Sequence, residues 1–324
     1  MPLIARRSTL LALCLASLAA GPALAAYPER TLTLVAPYAA GGAADVLSRL
    51  LAKKLEEQLG QTVVVENRPG AGTAIGAASV ANAKPDGYTL LLSSNSTFSL
   101  NPALNPKLPY DAAKSFEPLG LVGTVAMALL VNASQHAATP AQLVAAVKAA
   151  PDKFVYGSFG NGTASNFAGE MFNAAAGIKL THVPYKGSAP LMTDLIGGQI
   201  PISFDTVVAA APQLKNGKIK VLAVTTGKRS ALLPDVPTLV ESGYVGFDFS
   251  SWIALVAPRG LPADVKARLD KALAAAMALP DTAERMKAAG FEPHYAPVAD
   301  WPAFIAADIA RMKAVAERAQ IRLD

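Results

Sequence analysis

LTLVAPYAAGGAADVLSRLLAKKL, residues 32–55, is the stretch on which the fold of this chain turns. Residues 32–36 are a short apolar run. Residues 37–44 are a loop of small residues centred on Gly41-Gly42. Asp45 follows, and Val46, Leu47, Leu50, Leu51 and Leu55 then recur at helical spacing. The order is strand, loop, helix N-terminus. Glycines let backbone approach a bound group closely. The first amides of a helix have no acceptor inside it, and the dipole there favours negative charge. Such a turn can accept an anion. An ordinary βα turn that binds nothing has the same pattern, so this stretch alone leaves anion binding open.

Outward from there the rhythm repeats. Residues 62–66 (TVVVE) are a β-branched strand, 67–72 (NRPGAG) a loop, and 74–83 an alanine-rich helix. Residues 84–87 (KPDG) make a tight turn, 88–92 a third strand, and 93–97 a polar loop at its end. Residues 101–118 read as irregular. Residues 119–131 are apolar, with strand character at both ends. Thr139 is the expected N-cap of a helix that opens on Pro140. A second set follows: strand 154–158, glycine loop 159–165 (FGNGTAS), helix 166–176, strand 181–184, helix 189–196, strand 200–204 ending at Asp205, helix 209–216 and strand 221–225. The expectation is two α/β units in series, with parallel sheets and small-residue loops at strand C-termini, where ligands of open α/β sheets sit. Their interface would form a cleft. Helices are expected near 262–278, 280–289 and 301–320, in a C-terminal part that returns to the first unit.

The N-terminus reads as a secretory signal peptide, residues 1–25. Arg6 and Arg7 are its basic end, residues 8–20 its uncharged apolar region, and Ala23-Leu24-Ala25 the cleavage signal, with cleavage near Ala25/Ala26. The apolar region is too short to span a bilayer. Leu13 before Cys14 argues against a lipoprotein site. Cys14 is the single cysteine of the 324 residues, so the mature chain has neither a disulfide nor a thiol nucleophile. Export implies the periplasm or an equivalent space. Loss of Arg6 and Arg7 takes the formal charge from +5 to +3, too mild for a nucleic-acid partner.

Several motifs line up in order: Pro37, Gly41-Gly42, Asp45 and Arg49; residues 65–72 (VENRPGAG); 85–90 (PDGYTL); 108–111 (LPYD); 156–162 (YGSFGNG); 182–188 (HVPYKGS); 233–238 (LPDVPT); and Trp252 with Ala257-Pro258. Across essentially the whole mature chain this set resembles the Bug family of periplasmic solute-binding proteins, the receptors of tripartite tricarboxylate transporters. The resemblance implies an α/β fold of "Venus flytrap" form (type II-like), each domain a mostly parallel sheet flanked by helices, with the ligand cleft between them. The implied division is residues 26–124 plus 226–324 as one domain and 125–225 as the other, with two crossover strands as hinge. It implies a small organic acid or related solute as ligand, held by backbone amides, hydroxyls and bridging waters. It implies Tyr38, Ala39, Gly42 and Asp45 from the first loop, Ser93 and Ser96 from the third, Gly160, Thr163 and Ser165 from the glycine loop, and Asp205 as site residues. The family's loop often reads Pro-Gly-Gly, where this chain has Ala40-Gly41-Gly42. The implied partners are the membrane components of such a transporter, met by a monomer that uses no cofactor and no metal.

Other readings compete with this one. Residues 70–76 (GAGTAIG) follow a strand and open a helix, as a dinucleotide loop does. The next strand ends in Ser93-Ser94 and lacks the acid that would hold a ribose. No Gly-x-Ser-x-Gly elbow and no His-Glu-x-x-His occurs, and His136, His182 and His294 lack metal-ligand spacing. His182 reads better as a packed strand residue than as a base. Glu66-Asn67-Arg68 is either a charged site or a locally paired loop. Tyr185 lines the pocket or fills the core, and Trp252 reads more as core. An exported hydrolase, or a sensor without a transporter, are the alternatives to a transport receptor.

Overall fold

The computed structural model describes residues 27–321, so the expected signal peptide and its cleavage point lie outside the described residues. The chain forms β1 (Leu32–Ala36), α1 (Ala43–Leu59), β2 (Val63–Asn67), α2 (Ala74–Ala81) and β3 (Thr89–Ser94). β1 lies between β2 and β3, parallel to both. In α1, Leu47, Leu51, Leu55 and Leu59 are buried one turn apart. Gly60, left-handed at φ 74°, ends the helix by donating to the Glu56 carbonyl. The second set is α4 (Pro140–Ala149), β5 (Val155–Ser158), α5 (Ala164–Ala176), β6 (Thr181–Pro184), α6 (Ser188–Gly197), β7 (Ile202–Thr206), α7 (Val207–Leu214) and β8 (Ile219–Val224), with β5 parallel to β6 and β7.

Two long strands connect the sets. β4 (Phe116–Asn132) is one strand of 17 residues where the sequence suggested strand character only at the ends of an apolar run. Residues 116–126 of β4 pair with β9 (Ser250–Pro258). From Met127 onward its partners are β7 and β8. Irregularities at residues 118–120 and 121–123 of β4 bend it. Its run is continuously apolar because Met127 to Val131 are buried on both faces. β9 and β4 are antiparallel to their neighbours, so each sheet is mixed, and the parallel part is confined to β2-β1-β3 and β7-β5-β6.

The remaining elements are α8 (Ala263–Ala278), α9 (Pro280–Ala288), β10 (Phe291–Ala296) and α10 (Trp301–Arg318). β10 pairs with residues 121–125 of β4. It was illegible in the sequence because FEPHYA contains a proline and has no clear alternation. Trp301 and Ile305 of α10 pack with Phe98, Phe116 and Trp252, beside the first sheet. Met312 and Ala316, farther along the same helix, pack with Phe167, Phe172 and Phe204, beside the second. Leu239, Phe247 and Phe249 join that second cluster as well. The C-terminal part therefore touches both lobes. No helix of the described residues is long and apolar enough to cross a membrane.

Candidate functional site

The β1–α1 loop is built to present amides. Gly42 precedes α1 with no side chain capping the first turn, so the Ala43 and Ala44 N–H groups keep their donors free of any capping side chain. Asp45 lines neither of the two cavities between the lobes. Its Oδ2 accepts from the Gly41 amide at 3.0 Å and from Arg49 Nε at 3.1 Å, which fixes the loop. Burial works against the Asp45 charge, but Arg49 and the Gly41 amide together hold its carboxyl below the usual range. Asn67 Nδ2 donates to the Tyr38 carbonyl at 3.2 Å, a second brace. Arg68 pairs with Glu66 at 2.6 Å on the surface, so those charges are spent locally.

Loops of the two lobes meet at four places. A Cβ placed on Gly42 would lie 3.1 Å from the Ser188 Cβ, so the N-termini of α1 and α6 face each other. A Cβ on Gly187 would lie 2.7 Å from the Ala39 Cβ. Ser96 Oγ accepts from the Ala164 amide, the first of α5, at 2.9 Å. The fourth meeting is the closest. Ala71, Gly72 and Thr73 all have positive φ (45°, 58° and 85°), and a Cβ on Gly72 would stand 2.0 Å from the Asn161 carbonyl oxygen. Left-handed backbone at Ala71 and Thr73 is strain of the kind that collects at ligand clamps.

Two cavities lie between these loops. The inner one, about 50 Å³, is lined by Tyr38, Gly42, Ala43, Ala44, Ser93, Ser94, Ser188, Asp205, Thr206 and Ser251, with Leu92, Val125, Met127, Phe159 and Ile253 as apolar wall. The outer one, about 210 Å³, is bounded by residues 70–73, Phe159 to Asn161, and Pro184 to Lys186, with Pro37 and Tyr38. Tyr38 and Phe159 line both and stand edge to face at 5.9 Å, forming the wall between them. Tyr38 is fixed by a 2.9 Å hydrogen bond with Ser94 Oγ. Phe159 has no comparable tether and is half-buried.

Of the residues expected at the site, Tyr38, Gly42, Ser93 and Asp205 line the inner cavity. Tyr38, Gly160 and Tyr185 line the outer one, where the Tyr185 hydroxyl donates to Asp194 at 2.7 Å. Ala39 and Ser96 sit at the contact between lobes instead. Thr163 Oγ1 donates to the Gly160 carbonyl at 2.6 Å, within the glycine loop, and Ser165 Oγ accepts from the Phe159 amide at 3.3 Å and donates to the Phe204 carbonyl, tying that loop to β7. Ser94, Ser188, Thr206 and Ser251 also line the inner cavity. Ser94 and Ser188 fall at the end of β3 and of the loop after β6, where a ligand was expected, whereas Thr206 and Ser251 were not singled out, since only the juxtaposition of lobes brings them in. Trp252 stacks on Phe98 in the core.

Asp205 is fully buried. Its Oδ2 accepts from Ser188 Oγ at 2.6 Å, and its Oδ1 from the Thr206 amide at 2.7 Å. Burial pushes its carboxyl up to about 6, against the pull of those hydrogen bonds. No Lys, Arg or His lines the inner cavity. Among the described residues no group of three or more His, Cys, Asp or Glu could hold a metal ion.

Because Phe159 forms half of the dividing wall, Phe159→Ala is expected to merge the cavities. Affinity for the shortest ligands should fall roughly tenfold, as a side chain worth about 1.5–3 kcal/mol of burial leaves the wall, while longer ligands gain. Calorimetry across a chain-length series checks this. A uniform loss at every length would remove Phe159 from the role of divider.

Two lobes joined by crossover strands, with a cleft of helix N-termini, hydroxyls and one buried acid, define a periplasmic solute-binding protein rather than an enzyme. The sequence model described as tripartite tricarboxylate transporter family receptor matches residues 47–321, and the chain belongs to that family. Among solved structures it is similar to the periplasmic binding protein BugD, at 39% identity and TM-score 0.87, covering 91% of this chain and 99% of that one. It is similar to an R. palustris protein solved with adipate, at 34% identity and TM-score 0.87, covering 91% and 99%. It is also similar to MatC from Rhodopseudomonas palustris with bound malate, at 32% identity and TM-score 0.84, covering 89% and 99%.

Proposed function

We propose that this receptor captures a small carboxylate between its lobes and delivers it to the membrane components of a tripartite tricarboxylate transporter. The observation that carries the reading is the inner cavity, where the uncapped N-terminus of α1 meets the N-terminus of α6 across the cleft. Neighbours solved with adipate and malate support the ligand class. The lobes are residues 26–124 with 226–324, and residues 125–225. The exchange of β4 partners between Ala126 and Met127 supports a hinge there. The protein works as a monomer in the periplasm after removal of residues 1–25.

The attraction for the anion comes from neutral donors, since Lys186 is the single cation lining either cavity and belongs to the outer one. Screening reaches a closed, partly desolvated site less than it reaches exposed charges. Affinity for a carboxylate is therefore expected to change less than about threefold between low and high salt, and Lys186→Ala to cost less than about tenfold. Calorimetry of a carboxylate panel, after a thermal-shift screen, tests both the ligand class and its salt dependence. A panel without a single binder would overturn the reading. Binding abolished by Lys186→Ala would replace the neutral-donor account with a cationic one.

A further inference from the structure

We propose that the inner cavity selects a short carboxylate that bears a hydrogen-bond donor, a hydroxyl or an ammonium, on the carbon next to its carboxyl group, and that Asp205 is the acceptor that reads it. The inference rests on the carboxylate-receptor reading above and narrows it.

The cavity pairs an anion-binding end with an acid. The Ala43 and Ala44 amides at the start of α1 can hold a carboxylate. Asp205 lines the same space at 0% exposure, with no cation among the lining residues to neutralise it. The other titratable side chain there is Tyr38, whose phenol burial pushes up and so keeps neutral. An ionised second carboxylate turned toward Asp205 would meet like charge in a desolvated space, which is unfavourable. A donor would instead satisfy an acid that burial leaves short of partners.

Asp205 also has the capacity. Its Oδ1 accepts from the Thr206 amide and, at 3.5 Å, from Thr206 Oγ1. Its Oδ2 has the Ser188 hydroxyl alone, and a carboxylate oxygen can accept two hydrogen bonds. Since the Ser188 proton is spent on Asp205, the hydroxyl can offer only a lone pair to a ligand.

The two ends are also neighbours. Ser188 joins Asp205 at 2.6 Å and lies where a Cβ on Gly42 would be 3.1 Å away. Acceptor and amides thus approach the same side chain, so a short ligand can use both when its donor lies close to its carboxylate, and the carbon next to the carboxyl is the nearest place for it. Family membership does not decide this, because adipate, held by one neighbour, has no such donor, and malate, held by another, has one.

The test uses two matched sets that differ only at that carbon: succinate, malate and aspartate, and propionate, lactate and alanine, with each substituted acid as both enantiomers. Calorimetry on the mature protein is expected to give a substituted member binding about 10- to 100-fold more tightly than its unsubstituted parent, the range of a hydrogen bond to a charged group. Asp205→Asn, shown folded by circular dichroism, is expected to shrink that ratio to below about threefold and to improve succinate, because the amide can donate to a carboxylate. A parent acid that binds as tightly as its substituted partners in the wild-type protein would overturn the inference and leave the receptor reading intact. Failure of every acid to bind would overturn both. An unchanged ratio in Asp205→Asn would remove Asp205 as the acceptor.

Discussion

Gly72→Ala is expected to weaken ligand binding about a hundredfold while the protein stays folded. The reason is local geometry. A Cβ at Gly72 would lie 2.0 Å from the Asn161 carbonyl oxygen, and the nearest obstacle is backbone that cannot swing aside. Gly72 belongs to the loop after β2 and Asn161 to the loop after β5, so the conflict exists only when the lobes are together. An open protein escapes it. If the overlap costs the closed state about 3 kcal/mol, the binding-competent fraction falls about a hundredfold, and the apparent affinity with it. Gly177→Ala is the control. Gly177 has nearly the same φ, 60° against 58°, but nothing within 4 Å of a Cβ. It should cost about 1 kcal/mol of stability and leave binding alone. Calorimetry with scattering on both variants decides. Gly72→Ala binding as tightly as Gly177→Ala would mean that this contact has no part in the closed state.

Much of this arrangement was readable from residues alone. The strand–loop–helix at residues 32–55, the glycine loop at 159–165 and Asp205 at a strand end rest on local patterns, and local patterns fix which loops sit at strand C-termini. What escaped was non-local. Gly72 read as part of an ordinary or nucleotide-like loop, because its contact is with a carbonyl 89 positions away. Thr206 and Ser251 are polar residues in two separate segments, and no spacing marks them as part of the cavity that Ser94 and Ser188 line. Asp45, expected at the site because it opens a helix at a glycine loop, accepts from the Gly41 amide and pairs with Arg49, which braces that loop. The segment after β3 was a further loss. Serines made residues 93–97 read as a polar loop and prolines made 101–118 read as irregular, yet Ser96–Leu100 forms a wide π-turn that runs into α3 (Asn101–Leu104), all buried through Asn101.

That turn connects the core to the site, and Trp301→Ala tests the connection with the largest expected loss of stability. Trp301 is 2% exposed and stands edge to face with Phe98 at 5.2 Å. Its indole N–H donates to the Ala112 carbonyl at 2.9 Å. Truncation removes a large buried ring and leaves that carbonyl without its donor, a loss of about 3–5 kcal/mol by analogy with buried aromatic-to-alanine changes. The effect should also reach the cleft. Phe98 lies in the turn with Ser96 and Thr97; the Thr97 hydroxyl meets Ser93 and donates to Thr73 Oγ1 at 2.8 Å, beside Gly72. A cavity behind Phe98 loosens this chain of contacts, so binding under native conditions should weaken by several-fold, on the order of 1 kcal/mol. Surface Val245→Ala, at a residue 92% exposed, should change neither quantity. Denaturant unfolding gives the first number and calorimetry the second. A stability loss below about 1 kcal/mol would deny Trp301 its place as a core anchor. The full loss with unaltered binding would show that the aromatic cluster supports the fold without positioning the loop that bears Ser96.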